Sequence, residues 1–485
     1  MPDSAAGRLR NVFSFPVMLV STLVALAALT VRSRFNDPDL WWHLRTGQII
    51  WNGRAIPRTD LLSFTTGQHA WVAHEWLSQL SMYAAWRAGS YSGLMLWFCL
   101  AVAALLVIQY ILCRLYSGNA KAAFLGALIT WFFATVGLAI RPQLVGFIFL
   151  ACELLILHMG RWRDRRWFYL LPLLFALWVN THGSFFLGMI VLAAVLASGS
   201  FEVNAGLLQS RVFDPARRKI LLWVFTLSSA ALFANPVGWQ LLAYPLRTIF
   251  DWRMQLGAVM EWQRLSFDDP RAFGLIALAG AILLIALIRR TVLYVDEAVL
   301  LAVAFGMAVL HQRLLFASGI MATPILCRQL AGMWERFPRV RDRTLPNAIL
   351  IFTSLGVTIA AFPSPASLAA QVRRGNPVEA VDFIRRTHLS GRMLNDYVYG
   401  GYLSWALPDQ KVFIDGRADV YAWTGVFEDY GRWATLRDDP NRLLDRYSVD
   451  WCLLSQSAPL TRVMRYLPGW SERYFDSQSA IFIRN

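Results

Sequence analysis

Long apolar stretches recur from one end of the chain towards the other, and no other feature restricts its fold as strongly. Segments able to cross, or nearly cross, a hydrocarbon core of roughly 30 Å fall at 13–31, 93–113, 121–140, 144–158, 167–180, 184–199, 219–235, 272–288, 292–310, 314–330 and 346–363. The chain therefore reads as a polytopic α-helical membrane protein with about eleven transmembrane helices. Composition agrees. Of 485 residues, 56% are hydrophobic and 16% charged, with a mean hydropathy of +0.43, too apolar for a soluble domain of this size. The first stretch is expected to stay as an anchor, because Arg32-Ser33-Arg34 follows it without a small-residue cleavage pattern.

A net charge of +15 would suit nucleic acid if the basic residues formed one patch. They instead punctuate the apolar segments, so no nucleic-acid partner is expected. With Arg8 and Arg10 inside, alternate loops place Arg114 and Lys121 inside, then Arg161, Arg163, Arg165 and Arg166, then Arg211, Arg217, Arg218 and Lys219. Arg289 and Arg290 follow on that side, and finally Arg328, Arg336, Arg339, Arg341 and Arg343. Every loop expected in the cytoplasm thus carries Lys or Arg, as the positive-inside rule requires. The first outer loop also holds Arg45, Arg54 and Arg58, but long loops cross largely regardless of charge. An odd number of spans leaves the segment after 363 outside a bacterial-type inner membrane.

Three regions interrupt the apolar pattern, 32–92, 236–271 and 364–485, and this topology puts all three on the extracytoplasmic side. The expected division is a transmembrane domain, 1–363, with its first loop 32–92, and an extracytoplasmic α/β domain, 364–485. In the first loop, Leu40, Leu44, Gly47 and Trp51 recur at helical spacing, while Asp39, His43 and Thr46 share another face. That pattern predicts an interfacial helix, ended by Gly53 and Pro57, with a second amphipathic piece from Glu75 onward. In the tail, helical spacing runs from Val378 to Arg386, and strand-like runs cover Lys411–Ile414, Val449–Leu454 and Ser479–Ile483. Among the five cysteines there is neither a disulfide framework nor zinc spacing.

Candidate chemistry starts with Asp37 and Asp39, just beyond the first span. Carboxylates there suit a general base or the ligation of a divalent cation, against the plainer reading that Asp-Pro-Asp caps a helix. His74 and Glu75 offer a further base, or simply another helix start. Polar groups from separate segments are expected at the same side: Arg141-Pro142-Gln143, Asn180-Thr181-His182, Asn235-Pro236, Glu261 with Arg264, and His311-Gln312-Arg313. Arg141 and Arg313 suit a phosphate, since a guanidinium presents a planar fork of donors; singly, each would more often snorkel to the interface. Asp415-Gly416-Arg417-Ala418-Asp419 and Tyr399-Gly400-Gly401-Tyr402 read first as turns, the former with a local Asp/Arg pair.

Asp39 followed by Trp42, Gly53 and Pro57, with His74-Glu75-Trp76-Leu77 before the second span, resembles the first loop of the GT-C glycosyltransferase superfamily, which includes protein mannosyltransferases, aminoarabinose transferases and oligosaccharyltransferases. The resemblance implies a catalytic base or metal ligand at Asp39, with Asp37 and Glu75 as further catalytic candidates. His43, His74, Arg141, His182, Glu261, Arg264, His311 and Arg313 would bind substrate. The chain has Asp39-Leu40 where the mannosyltransferase type has adjacent Asp and Glu, and it lacks the Trp-Trp-Asp motif of oligosaccharyltransferases. The implied reaction is hexosyl or pentosyl transfer from a polyprenyl-phosphate-linked sugar to an extracytoplasmic glycan, lipid or protein, with membrane lipid as a further partner. A transporter or flippase of lipid-linked glycans, or a non-catalytic subunit of a polysaccharide assembly, are the alternatives. A pathway would need charges near span centres, where the chain has chiefly Glu153, Asp296 and Glu297.

Overall fold

In lipid, a backbone can satisfy its polar groups only within its own helix, and every one of the eleven apolar stretches falls on a helix. The computed structural model describes residues 5–67, 69–243, 263–338, 342–421 and 424–485. Among the described residues, four helices are long and apolar enough to cross a membrane: Trp76–Ser117, Gln143–Trp162, Pro270–Arg289 and Thr344–Ala361. Three more apolar helices, Phe15–Val31, Ala120–Ala134 and Phe185–Ser198, are shorter. The Trp76–Ser117 helix is broken at Gly89 and Ser90, where Ser90 has φ 51°, so the amphipathic piece predicted from Glu75 runs into the second apolar stretch through a bend.

The chain divides into two compact units. One comprises the described parts of Met1–Arg32, Met95–Trp239 and Leu256–Pro363, and the other those of Ser33–Leu94, Gln240–Gln255 and Ser364–Asn485. In the first, the Leu315–Leu330 helix is buried at every position except Arg328. Small residues let its neighbour Ala120–Ala134 approach: a Cβ on Gly126 would lie 2.5 Å from Cys327 Sγ, and one on Gly319 would lie 3.1 Å from Thr130 Cα. Thr130 adds a hydroxyl bond to the Gly319 carbonyl, 3.1 Å. Hydrophobicity cannot hold helices together in lipid, so close packing and such bonds do.

In the second unit the first loop and the tail form one body. A mixed sheet runs in the order Met393–Asn395, Trp451–Ser455, Ser479–Arg484, Trp470–Phe475, the first pair parallel and the others antiparallel. The predicted helix is present as Val378–Thr387. Lys411–Ile414 forms no strand of this sheet, contrary to its pattern. Its hydrogen bonds go elsewhere: Val412 N–H donates to Leu62 O at 3.0 Å, Phe64 N–H donates to Val412 O at 3.1 Å, and the Asn395 side chain bonds Phe413 N–H and Ile414 O at 2.8 Å each. Beneath lies an apolar core that includes Trp71 of the loop and Phe413, Tyr421, Trp433 and Phe482 of the tail.

One guanidinium locks this body. Arg417 donates bidentately to Asp415 (Nη2 to Oδ2, 2.7 Å; Nε to Oδ1, 2.9 Å) and through Nη1 to Asp60 Oδ1 at 2.8 Å, while stacking over Trp71. Asp60 also accepts bonds from the Leu62 amide, the Thr66 hydroxyl and Ser63. Burial alone would raise the Asp60 carboxyl, but Arg417 and these donors outweigh it and hold it below its ordinary value. Removing Arg417 (Arg417→Met) should therefore cost about 3–5 kcal/mol in unfolding experiments, because two buried carboxylates lose their partner. Since folding depresses the Asp60 value, its contribution should be complete above about pH 3.9 and fade as pH falls through the depressed folded value. Thermal unfolding against pH checks both, and the acid-side loss should be absent in Asp60→Asn.

Candidate active site

The Leu40–Gly53 helix begins where the sequence predicts, and its start decides between the two readings of the acidic pair. Asp37 Oδ1 accepts the Asp39 N–H at 2.8 Å, so Asp37 shapes the turn that enters the helix. Asp39 occupies the N-cap position with φ −79° and ψ −20°, yet its side chain makes no capping bond. Its Oδ1 instead accepts the Trp42 indole N–H at 3.2 Å. Helix capping therefore does not occupy this half-buried carboxylate.

The tail comes against this carboxylate through glycines. A Cβ at Gly416 would lie 1.9 Å from Asp39 Oδ1, and one at Gly401 would lie 2.5 Å from the Pro38 carbonyl oxygen. A Cβ at Gly400 would lie 2.0 Å from the Ile414 carbonyl oxygen. The two glycine-bearing motifs are therefore sites of close approach between tail and first loop, and the Asp415/Arg417 pair belongs to the structural lock.

Glu75 is buried between two imidazoles: its Oε2 lies 3.7 Å from His43 Nδ1 and its Oε1 lies 3.7 Å from His74 Nε2. His74 Nδ1 donates to the Val72 carbonyl at 3.2 Å, which fixes that ring's tautomer and turns Nε2 towards the carboxylate. The Gln79 amide lies 3.2 Å from His43 Nδ1. Asp419, half-buried in the tail, joins this group. Burial pushes its carboxyl up, and the charges of His74 and Arg417 only partly offset that. Sequence reasoning quoted Asp419 within a turn motif without assigning it to the site. Among the described residues, no three His, Cys, Asp or Glu side chains gather as a metal ion requires.

The other predicted residues that are described lie in the first unit, where several of them gather. Arg313 Nη2 donates to Gln143 Oε1 at 2.8 Å, and Gln143 donates in turn to the Gly137 carbonyl at 2.6 Å, which brings Arg313 to the segment carrying Arg141. A Cβ on Gly146, in the first turn of the same Gln143–Trp162 helix, would lie 3.0 Å from His182 Nδ1. Ser184 donates to that nitrogen through its amide at 3.1 Å, so the neutral His182 ring carries its proton on Nε2. His311 ends the Val295–Leu310 helix, and Gln312 N–H donates to Gln263 O at 3.0 Å, beside the exposed Arg264. Glu261 lies outside the described residues.

The sequence matches no family model and no curated protein. Solved structures do match. ArnT from Cupriavidus metallidurans, in its apo state, superposes with a TM-score of 0.57 at 14% identity, covering 99% of this chain and 98% of its own. The same protein bound to undecaprenyl phosphate gives 0.54 at 14% identity, with coverage of 99% and 98%. The Archaeoglobus fulgidus oligosaccharyltransferase tethered to an acceptor peptide gives 0.57 at 12% identity, covering 92% of this chain and 70% of the other. The chain therefore shares the fold of ArnT and of the archaeal oligosaccharyltransferase.

The glycines separate packing from placement. Gly400→Ala meets backbone and should cost about 1–3 kcal/mol as overpacking does. Gly416→Ala meets the end of the Asp39 side chain, which can swing away, and should lower the unfolding temperature by less. Thermal unfolding of the two purified variants checks this order.

Proposed function

We propose that the chain is a membrane glycosyltransferase that takes a sugar, hexosyl or pentosyl, from a polyprenyl-phosphate carrier and transfers it to an extracytoplasmic glycan, lipid or protein acceptor. The observation that carries the reading is Asp39: a carboxylate at a helix start that does not cap the helix, held by the Trp42 indole and met by the Gly416 backbone. The fold supports it, as do two of its structural neighbours: ArnT is solved with undecaprenyl phosphate and the archaeal oligosaccharyltransferase AglB with a dolichol-phosphate, the latter at a TM-score of 0.52 and 11% identity.

In this reading Asp39 takes the proton of the acceptor hydroxyl as its oxygen bonds the anomeric carbon. The bond from that carbon to the carrier's phosphate oxygen breaks, and the electron pair leaves with the phosphate. Arg141 and Arg313 stabilise the charge that develops there, as fixed cations do for a leaving group. Asp37 positions Asp39 through its backbone, and Glu75 with His43 and His74 orients the acceptor. His182, His311, Glu261 and Arg264 complete substrate binding. No step runs through a divalent cation or a nucleotide. The alternation of basic loops supports an extracytoplasmic tail in this reading.

The transporter alternative loses support from the acids it would need. Asp296 and Glu297 sit in the first turn of the Val295–Leu310 helix, each ion-paired with arginines, and only Glu153 remains midway along a helix.

Replacing Asp39 with Asn should lower transfer by about 10²–10⁴-fold, the range expected for loss of a general base, with expression and unfolding temperature unchanged. Gly416→Ala should lower the maximal rate by at least about tenfold, because misplacing a reacting group by an ångström costs up to about 10²-fold. Transfer of radiolabelled sugar from polyprenyl phosphate, measured on the purified variants, checks both. Full activity in Asp39→Asn removes the proposed base, and Glu75→Gln measured alongside shows whether Glu75 holds that role.

A further inference from the structure

The Gln143–Trp162 helix has 20 residues, so its ends lie about 30 Å apart. Arg313 and His182 collect at its start, whereas its other end carries a second polar cluster that the proposed reaction does not use. Arg161 donates to Asp296 Oδ2 at 3.1 Å, Arg211 bonds both Asp296 (3.0 Å) and Glu297 (3.0 Å), and Arg328 bonds Glu297 at 2.6 Å. A cavity of about 400 Å³ opens beside them, lined by Tyr116, His158, Arg163, Arg211, Tyr294 and Arg328 among others.

The charges do not cancel. Both carboxylates are fully engaged by Arg161, Arg211 and Arg328, while Arg163, exposed at the cavity's edge, pairs with no carboxylate among the described residues. Four guanidinium groups thus face two acids, a surplus of two positive charges. Arg211 spends its Nε and Nη2 on the acids, and Arg328 spends the same two atoms on Glu297 and the Val292 carbonyl. In each, Nη1 has no bond among the described residues. These guanidinium groups are held in place: Arg211 lies 3.8 Å and Arg328 5.0 Å from the centre of the Tyr294 ring. A rigid set of unspent donors with net positive charge binds an anion without first paying for its own ordering. Trp162, more than half exposed beside Arg163, and Tyr169 suit the headgroup layer.

We propose that this cavity binds a phosphate dianion, carried as a monoester on a lipid headgroup of the Arg-rich leaflet or supplied as free phosphate. Its two negative charges match the surplus, and basic pockets between membrane helices on the cytoplasmic side recognise lipid phosphates by this means. The site is independent of the transfer reaction and lies at the opposite end of the helix from Arg313.

Native mass spectrometry of the full-length protein in neutral detergent tests the assignment, with phosphatidic acid, phosphatidylcholine and inorganic phosphate as probes. Wild type should retain phosphatidic acid in preference to phosphatidylcholine. Arg163→Gln should weaken that retention about tenfold and Arg163→Glu more, at unchanged unfolding temperature and unchanged sugar transfer. Displacement of the lipid by millimolar inorganic phosphate identifies free phosphate as the ligand, and retention against it identifies the headgroup; both support the site. Equal retention of the two lipids without phosphate binding, or undiminished binding in Arg163→Glu, overturns it.

Discussion

Arg417 is the side chain on which the loop and tail body depends. Its guanidinium joins Asp415, two residues away, to Asp60, 357 positions away, in a site that water does not reach. A buried ion cluster of this kind adds little net stability over an apolar core of the same shape, but it tolerates no other arrangement, because any shift leaves a charge unpaired. The register this imposes is visible nearby: the same tail segment exchanges backbone bonds with residues 62–64 and brings Gly416 against Asp39. The placement of the proposed base therefore follows from an ion cluster that takes no part in the reaction.

The helical unit solves a different problem, that of packing in a solvent as apolar as its own side chains. Gly126 and Gly319 let helices touch, and Thr130 supplies a hydroxyl bond between them. One end of the Gln143–Trp162 helix holds Arg313 bonded to Gln143, and the other holds arginines bonded to Asp296 and Glu297. Two polar clusters thus stand at the two ends of a helix of membrane-spanning length.

The sequence made the helices legible because burial in lipid leaves a continuous apolar signal, and the Leu40–Gly53 helix legible because its face repeats at helical spacing. The strands Trp451–Ser455 and Ser479–Arg484 were equally readable, being short apolar runs buried on both faces. Trp470–Phe475 escaped notice because, as an edge strand, it is half polar and largely exposed. Lys411–Ile414 misled for the opposite reason, an apolar run whose hydrogen bonds go to loop and side-chain partners. Within the candidate site, Asp39 was readable from its position. The Asp415/Arg417 pair was recognised as local, but its third member, Asp60, and the role of Gly416 depend on contacts between distant segments that no local pattern encodes.

The central claim is that the chain draws its sugar from a lipid carrier, and donor choice tests it most directly. Purified protein would be supplied, in parallel, with radiolabelled polyprenyl-phosphate sugars and with nucleotide sugars, each with a cell-envelope acceptor fraction. The account predicts label on the acceptor and free polyprenyl phosphate released from the first set alone. Transfer from the nucleotide sugars, or no release of polyprenyl phosphate from any carrier-linked sugar, would contradict it.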